Sequence, residues 1–449
     1  MAEERKTPAA EVRPSRRERL RGRIEGRPRI SPRVLGYLTE EKESLRQGFV
    51  ALFISSVGEL FAGVALASIT NTLEELVGLA ILIPAAIAMR GAIFGAMGSR
   101  ISTAIHTGLF ELNLRRGALA ENVQAAIALS LVSSVFLAVL ARYLSGILGI
   151  PTALTIVDYV IISTVAGLLA GAILLVITLL VTRLSVRREW DMDNIVAPIL
   201  TAAGDILTLP ALVLATYLIG IPVFSVSFSG VLVLVAGLAL YLGLRYGAPG
   251  LRRILNESLP ILALNGFVVI LVGLALEDRL DQFLAFPVLL ILLPAFLQEG
   301  GALGGILASR LSSKVHLGLI EARPLPQWTA FKDFTLVYIF AVGVFVFIGG
   351  ASHLIAEGLA ATLSPGFLAT LGLDGETLSP GFFQMIGLST LAGLIATTAA
   401  VLAAYYGSVT SYRLGLDPDT YGIPIITAAV DLLGFLSLII ALIVFGLAG

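Results

Sequence analysis

An all-α polytopic membrane protein, built from two parallel five-helix repeats joined by an extra transmembrane helix, is the fold class the sequence predicts, and three observations predict it. Of the 449 residues, 57% are hydrophobic and only 14% charged, with a mean hydropathy of +0.93, outside the usual balance of soluble domains. About eleven stretches are long and apolar enough to cross a hydrocarbon core of about 30 Å. The chain also resembles itself at an offset of about 210 positions, the mark of an internal repeat.

The elements follow in order. Residues 1–46 carry 13 of the 30 Lys and Arg and few apolar residues, so they read as a basic, largely disordered cytoplasmic tail. A solvated arm is the plain reading of it, with anionic lipid headgroups as a looser partner. It holds no apolar core of a secretory signal. The spans then fall near 47–69, 76–97, 122–144, 157–182 and 196–219 in a first repeat, 47–222. A linking helix near 228–246 lies within 223–250, and the second repeat, 251–449, has spans near 255–276, 285–308, 333–352, 382–404 and 422–446. Arg115, Arg116, Arg183, Arg187, Arg188, Arg245, Arg252, Arg253, Lys314, Arg323, Lys332 and Arg413 occupy alternate loops, which places the N-terminus in the cytoplasm of a cell-membrane protein. Glu74, Glu75, the 277–281 segment and the Gly/Pro-rich stretch 353–381 belong outside.

The duplication is clearest in the second spans. Pro84-Ala-Ala-Ile-Ala-Met-Arg-Gly91 through Gly95, Ser99, Arg100 and Ser102 lies over Pro294-Ala-Phe-Leu-Gln-Glu-Gly-Gly301 through Gly305, Ser309, Arg310 and Ser312, and His106, Gly108 and Glu111 match His316, Gly318 and Glu321. Two five-span units fused directly would point in opposite directions. The linking helix restores a common direction, so the repeats are parallel, related by an axis along the membrane normal, and equivalent residues face one another at one depth.

Two such residues are carboxylates. Asp205 ends Asp193-Asn-Ile-Val-Ala-Pro-Ile-Leu-Thr-Ala-Ala-Gly-Asp, and Asp431 ends Asp419-Thr-Tyr-Gly-Ile-Pro-Ile-Ile-Thr-Ala-Ala-Val-Asp, deep in the fifth spans. An ionisable group near mid-membrane costs at least about 2.5 to 3.5 kcal/mol and marks an ion or proton path more often than not. Thr201 and Thr427 sit one turn earlier on the same face. Two facing carboxylates with hydroxyl oxygens nearby suit a hydrated divalent cation, because Mg²⁺ keeps several of its waters and takes one or two carboxylates. A proton relay, a Na⁺ site or a purely structural, hydrogen-bonded carboxyl are the competing readings.

The remaining polar residues divide by position. Arg90 in one second span and Gln298-Glu299 in the other break the symmetry; a buried Arg90 calls for a partner, with Glu299 or Glu59 as candidates for an ion-pair gate or structural lock. Asp191 and Asp193, with Asp417 and Asp419, precede the fifth spans, where helix N-capping explains Asp193 and Asp419 and gathering cations at a cytoplasmic mouth is compatible with it. Gly91, Gly95 and Gly98, with Gly300, Gly301, Gly304 and Gly305, suit close helix packing. Arg100 and Arg310 read as snorkelling residues ending the second spans. The chain has no cysteine, which excludes thiolate chemistry, and it contains no phosphate loop, nucleophile elbow or zinc-protease helix motif. No enzymatic activity and no nucleic-acid partner are expected.

On the second-span pattern (Pro84 to Ser102, Pro294 to Ser312) and the Asp-x-Asp, Pro and Thr-Ala-Ala-x-Asp order around the fifth spans, the chain resembles the MgtE magnesium channels. More closely it resembles solute carrier family 41, in which two MgtE-like units are fused. The resemblance covers nearly everything from residue 48 onward. It implies that Asp205 and Asp431 line a central pore and contact hydrated Mg²⁺, that one chain forms a pseudo-dimer sufficient for transport, and that divalent ions and lipids are the partners. Channel-like flow and exchange against Na⁺ both fit, as does a proton- or Na⁺-coupled carrier of another solute. The chain departs from the family pattern where Gly-Gly-Asn reads Arg90-Gly91-Ala92 and Gly300-Gly301-Ala302.

Overall fold

In hydrocarbon every backbone polar group needs a partner within the protein, so long apolar stretches become helices. The computed structural model describes residues 42–107, 110–111, 113–188, 192–370, 373, 378–414 and 423–447; the tail at 1–41 lies outside them. Met1–Gly48 and Phe49–Gly449 separate as two units, and only the start of the first helix is described in the former.

The elements are α1 Lys42–Ala67, α2 Thr70–Glu75, a 3₁₀ turn Leu79–Ile81, α3 Leu82–His106, α4 Ala118–Leu148, α5 Ile156–Arg188, α6 Met192–Thr216 and α7 Pro222–Tyr246. They continue with α8 Pro249–Asp278, α9 Leu280–Ala285, α10 Val288–His316, α11 Trp328–Thr362, α12 Pro365–Thr370, α13 Phe382–Leu414 and α14 Ile423–Val444. Among the described residues there are no strands, and ten helices are long and apolar enough to cross a membrane; α6 adds a shorter apolar stretch, Ala202–Thr216. The protein is an all-α integral membrane protein.

Helix lengths differ from the sequence reading mainly at α11, which runs to Thr362 before a break and α12. The 353–381 stretch was expected to be loop. Its first third, His-Leu-Ile-Ala-Glu-Gly-Leu-Ala-Ala-Thr, holds good helix formers and continues the span, while Pro365 opens a new helix at its first turn.

The repeats interlock through their first helices. A Cβ on Gly63 of α1 would overlap the Ile291 carbonyl of α10, and a Cβ on Gly273 of α8 would overlap the Ile81 carbonyl next to α3. Gly63 and Gly273 are equivalent, as are Ile81 and Ile291, so the two contacts are one contact made twice about a pseudo-two-fold axis. Only glycine allows a helix and a carbonyl to meet this closely. Accordingly α8 packs against α3 and α4 of the first repeat as well as α14 of the second. Glu277 near the end of α8 reinforces the exchange: its Oε1 accepts the Gly78 N–H at 2.6 Å, where φ is +104°, and the Tyr159 hydroxyl donates to the Gly78 carbonyl at 3.0 Å.

Within each repeat the fifth-span helix packs on its neighbours, α6 on α3 and α5, α14 on α10 and α13. The linking helix α7 lies against α4 and α5 and exposes Val226, Val231, Leu234 and Leu238, as a lipid-facing helix does.

Candidate functional site

Asp205 lies on α6 and is 2% exposed. A Cβ on its neighbour Gly204 would lie 3.6 Å from the Arg90 β-carbon of α3 and 3.6 Å from Leu174 Cδ1 of α5, so α6 sits close to both helices. On the other side a Cβ at Gly58 of α1 would come within 2.9 Å of the Ala202 β-carbon. Ala202 is just under one turn before Asp205, and Glu59 follows Gly58. The close approach of α1 and α6 thereby brings the Glu59 carboxyl into side-chain hydrogen-bond contact with that of Asp205. Two ionised carboxylates at such a separation repel, so the pair needs a cation or a proton.

Asp431 approaches from the second repeat on α14, near enough to Asp205 for direct electrostatic interaction. Opposite it is Gly301 of α10, whose Cβ would lie 3.6 Å from Asp431 Oδ1 and 3.9 Å from Thr427 Cβ. Glu59, Asp205 and Asp431 line one cavity of about 70 Å³, with Pro84 and Ala88 of α3, Val269 of α8, and Pro294 and Gln298 of α10 completing its wall. A space of that size takes a few water molecules. The cavity is formed by both repeats, and the prolines that began the second-span alignment face it from either side.

Glu299, fully buried on α10, accepts a hydrogen bond at its Oε1 from the Ser56 hydroxyl of α1 at 2.9 Å, and interacts electrostatically with Glu59. The other oxygens of these two glutamates, Glu59 Oε2 and Glu299 Oε2, are buried without a protein partner. Acceptors in that state call for a cation or for donors such as the water of a hydrated one. Among the described residues no three His, Asp or Glu side chains are gathered tightly enough to ligate a metal ion directly. Glu59, Asp205 and Asp431 share a cavity rather than a coordination sphere, an arrangement that fits an ion retaining its water.

Arg90 corrects one expectation. It forms no ion pair with Glu59 or Glu299: its Nη1 donates to the Gly167 carbonyl at 3.2 Å and its Nη2 to the Ser134 hydroxyl at 2.9 Å, with Nε unpartnered. The side chain turns away from the carboxyl cavity into the α3–α4–α5 junction. The second repeat explains the geometry. There Gly393, equivalent to Gly167, faces the Phe345 ring, equivalent to Ser134, and position 300 is glycine. The space that Phe345 fills in repeat two is filled in repeat one by a guanidinium reaching from α3 over a small serine. Arg90 is a packing element here; Glu59 lines the acidic cavity, and Glu299 interacts electrostatically with Glu59 from outside its lining.

Arg100 and Arg310, expected to snorkel, are tied inward instead. Arg100 Nε donates to Asn122 Oδ1 at 2.7 Å; Arg310 Nε and Lys314 Nζ hold the fully buried Asp333 at 3.0 and 2.7 Å. Asn122 and Asp333 are equivalent, one neutral and one charged.

Asp191, Asp417 and Asp419 lie outside the described residues. Asp193 and Thr201 are within α6, but their side chains are not described; Thr427 stands one turn before Asp431 in α14. Sequence reasoning missed Ser56. The signal was its place three residues before Glu59 on one helix face, obscured because serines are common in packed membrane helices.

A family model described as a divalent cation transporter, MgtE, matches residues 83–215 and 293–441. Solute carrier family 41 member 2 of Xenopus laevis is 26% identical over 86% of this chain and 69% of its own length. The Homo sapiens member 2 is 24% identical over 86% and 68%, and the Rattus norvegicus member 3 is 23% identical over 86% and 84%. No solved structure matches.

Proposed function

The chain belongs to the MgtE family of divalent cation transporters, and from that premise we propose that it carries Mg²⁺ through a central pathway in which Asp205 and Asp431 are facing carboxylates. The observation that carries this reading is that two equivalent aspartates, one from each repeat, line the same cavity as Glu59. Asp205 and Asp431 supply charge, Thr201 and Thr427 supply hydroxyl oxygen one turn away, and the ion keeps part of its water. Glu59 and Glu299 add acidic charge from the first-repeat first helix and the second-repeat second helix. The proline-walled pocket limits the space, so that size and dehydration cost select among cations.

A doubly charged ion moving inward down a potential of 100 mV gains about 4.6 kcal/mol, enough to drive import without ATP. Exchange against Na⁺ is the alternative use of the same site. Both halves of the pathway come from one chain, so a monomer suffices. The basic tail and the alternating loop charges favour a cytoplasmic N-terminus in the cell membrane, with Asp191, Asp193, Asp417 and Asp419 at the cytoplasmic mouth.

The test is uptake into proteoliposomes with Mg²⁺, Mn²⁺, Co²⁺, Ca²⁺ and Na⁺ presented singly and in competition. Mg²⁺ flux that the other divalent ions inhibit, and that persists without Na⁺, agrees with a uniport pathway. Flux that requires a Na⁺ gradient selects exchange. Equal rates in protein-free vesicles would defeat the reading.

A further inference from the structure

A second cavity, about 410 Å³, lies on the same seam as the first. The α3 helix lines the acidic cavity with Pro84 and Ala88 and the larger one with Ala92, Ala96 and Ser99; α8 lines the acidic cavity with Val272 and Val269 and the larger one with Asn265, Ser258 and Glu257. Steps of three or four residues keep to one face of a helix. From Ala88 to Ala92, and from Val269 to Asn265, is one turn, about 6 Å. The two spaces are thus stacked along the α3–α8 seam, with a single helical turn between them.

The lining changes from apolar to polar along this seam. Glu257 and Arg100 both face the larger cavity and interact electrostatically, and an amide and two hydroxyls join them. Such groups in hydrocarbon would each cost a few kcal/mol, so the space suits water, with volume for on the order of ten water molecules. The equivalent seam between α10 and α1 has a different character. Ile306 stands where Ala96 is, Ala51 where Ile261 is and Ser55 where Asn265 is. Beside it, Phe49 and Phe53 of α1 are packed on Phe340 and Phe347 of α11, with ring centroids 5.7 and 4.3 Å apart.

We propose that the hydrated cation leaves the pseudo-two-fold axis and passes between the acidic cavity and the membrane face at the α3 C-terminus down the α3–α8 seam alone, with the oxygens of Asn265, Ser258 and Ser99 accepting hydrogen bonds from its water. The proposal rests on the reading of the acidic cavity as the cation site. It makes a sequence-symmetric pathway functionally one-sided: two equivalent aspartates serve a single exit, and the α1–α10 seam, where Ile306 replaces Ala96, carries no route.

The absence of cysteine in the chain makes a direct test available. Single substitutions Ala96→Cys, Ser258→Cys and Asn265→Cys probe the seam, and Ile306→Cys probes its equivalent. Each reconstituted protein is treated with a positively charged methanethiosulfonate reagent, labelling is read by mass spectrometry, and Mg²⁺ uptake is measured before and after. The expected result is labelling at all three seam positions with at least a tenfold loss of uptake, reversed by thiol reduction, and no loss for Ile306→Cys. Labelled seam variants that transport at their unlabelled rate, seam positions that resist labelling, or an equal block at Ile306→Cys would each overturn the route. The reading of the acidic cavity fails separately: it falls if Asp205→Asn and Asp431→Asn leave uptake unchanged, whatever the seam variants do.

Discussion

The Glu59 carboxyl of α1 meets the Asp205 carboxyl of α6 side by side, both nearly excluded from solvent. The sequence assigned Glu59 no counterpart, because the equivalent residue is Val269. In the fold, that asymmetry adds a third acidic group to a cavity otherwise served by one aspartate from each repeat. Glu59→Gln keeps the shape and removes the charge. Its expected effect is a several-fold rise in the Mg²⁺ concentration needed for half-maximal uptake with the protein still monodisperse in detergent, measured by concentration-dependent flux into proteoliposomes.

Arg90 and Ser134 should behave as a volume-sharing pair. Arg90→Gly alone empties the α3–α4–α5 junction and is expected to destabilise by roughly 2–5 kcal/mol, the range for large core deletions. Ser134→Phe alone overpacks it, at about 1–3 kcal/mol. The double variant reproduces the Gly300 and Phe345 arrangement of the second repeat and should recover a large part of the combined loss, a coupling that a thermal-unfolding double-mutant cycle reads directly.

The exchanged glycines set the spacing of the repeats. Gly63→Ala and Gly273→Ala each place a methyl group on a backbone carbonyl that cannot move aside, and each is expected to cost about 1–3 kcal/mol. Because the contacts are equivalent, the two losses should be similar. Thermal midpoints in detergent that fall for one and not the other would remove the pseudo-two-fold account of the interlock.

Asp333 is buried between Arg310 and Lys314, and Asp333→Asn leaves two cations facing a neutral amide. Breaking a buried pair this way costs about 3–5 kcal/mol. The equivalent Asn122→Asp adds a charge beside Arg100 alone and is expected to change stability much less, a contrast that a parallel unfolding measurement checks.

Much of the architecture is legible in the sequence for a physical reason. Apolar runs in a membrane leave the backbone one solution, and the repeat fixes which runs correspond; Asp205 and Asp431 follow from their depth and their matching strings. The swap of α1 and α8 into the opposite repeat was not legible, since Gly63 and Gly273 look like any small residues in a span until their carbonyl neighbours are known. Arg90 misled for a related reason. A buried guanidinium suggests a carboxylate partner, but two hydrogen bonds and a void shaped by Gly167 and Ser134 accommodate it. The partner of Glu299 was hidden as well, because pairing Ser56 with it depends on which helices of different repeats touch.

The central claim is that Asp205 and Asp431 form one cation site with two halves. Mg²⁺ uptake into proteoliposomes containing equal amounts of wild-type, Asp205→Asn or Asp431→Asn protein tests it most directly. The account predicts that either substitution alone lowers uptake at least tenfold while the protein remains folded and reconstitutes normally. Wild-type uptake by both variants would contradict it.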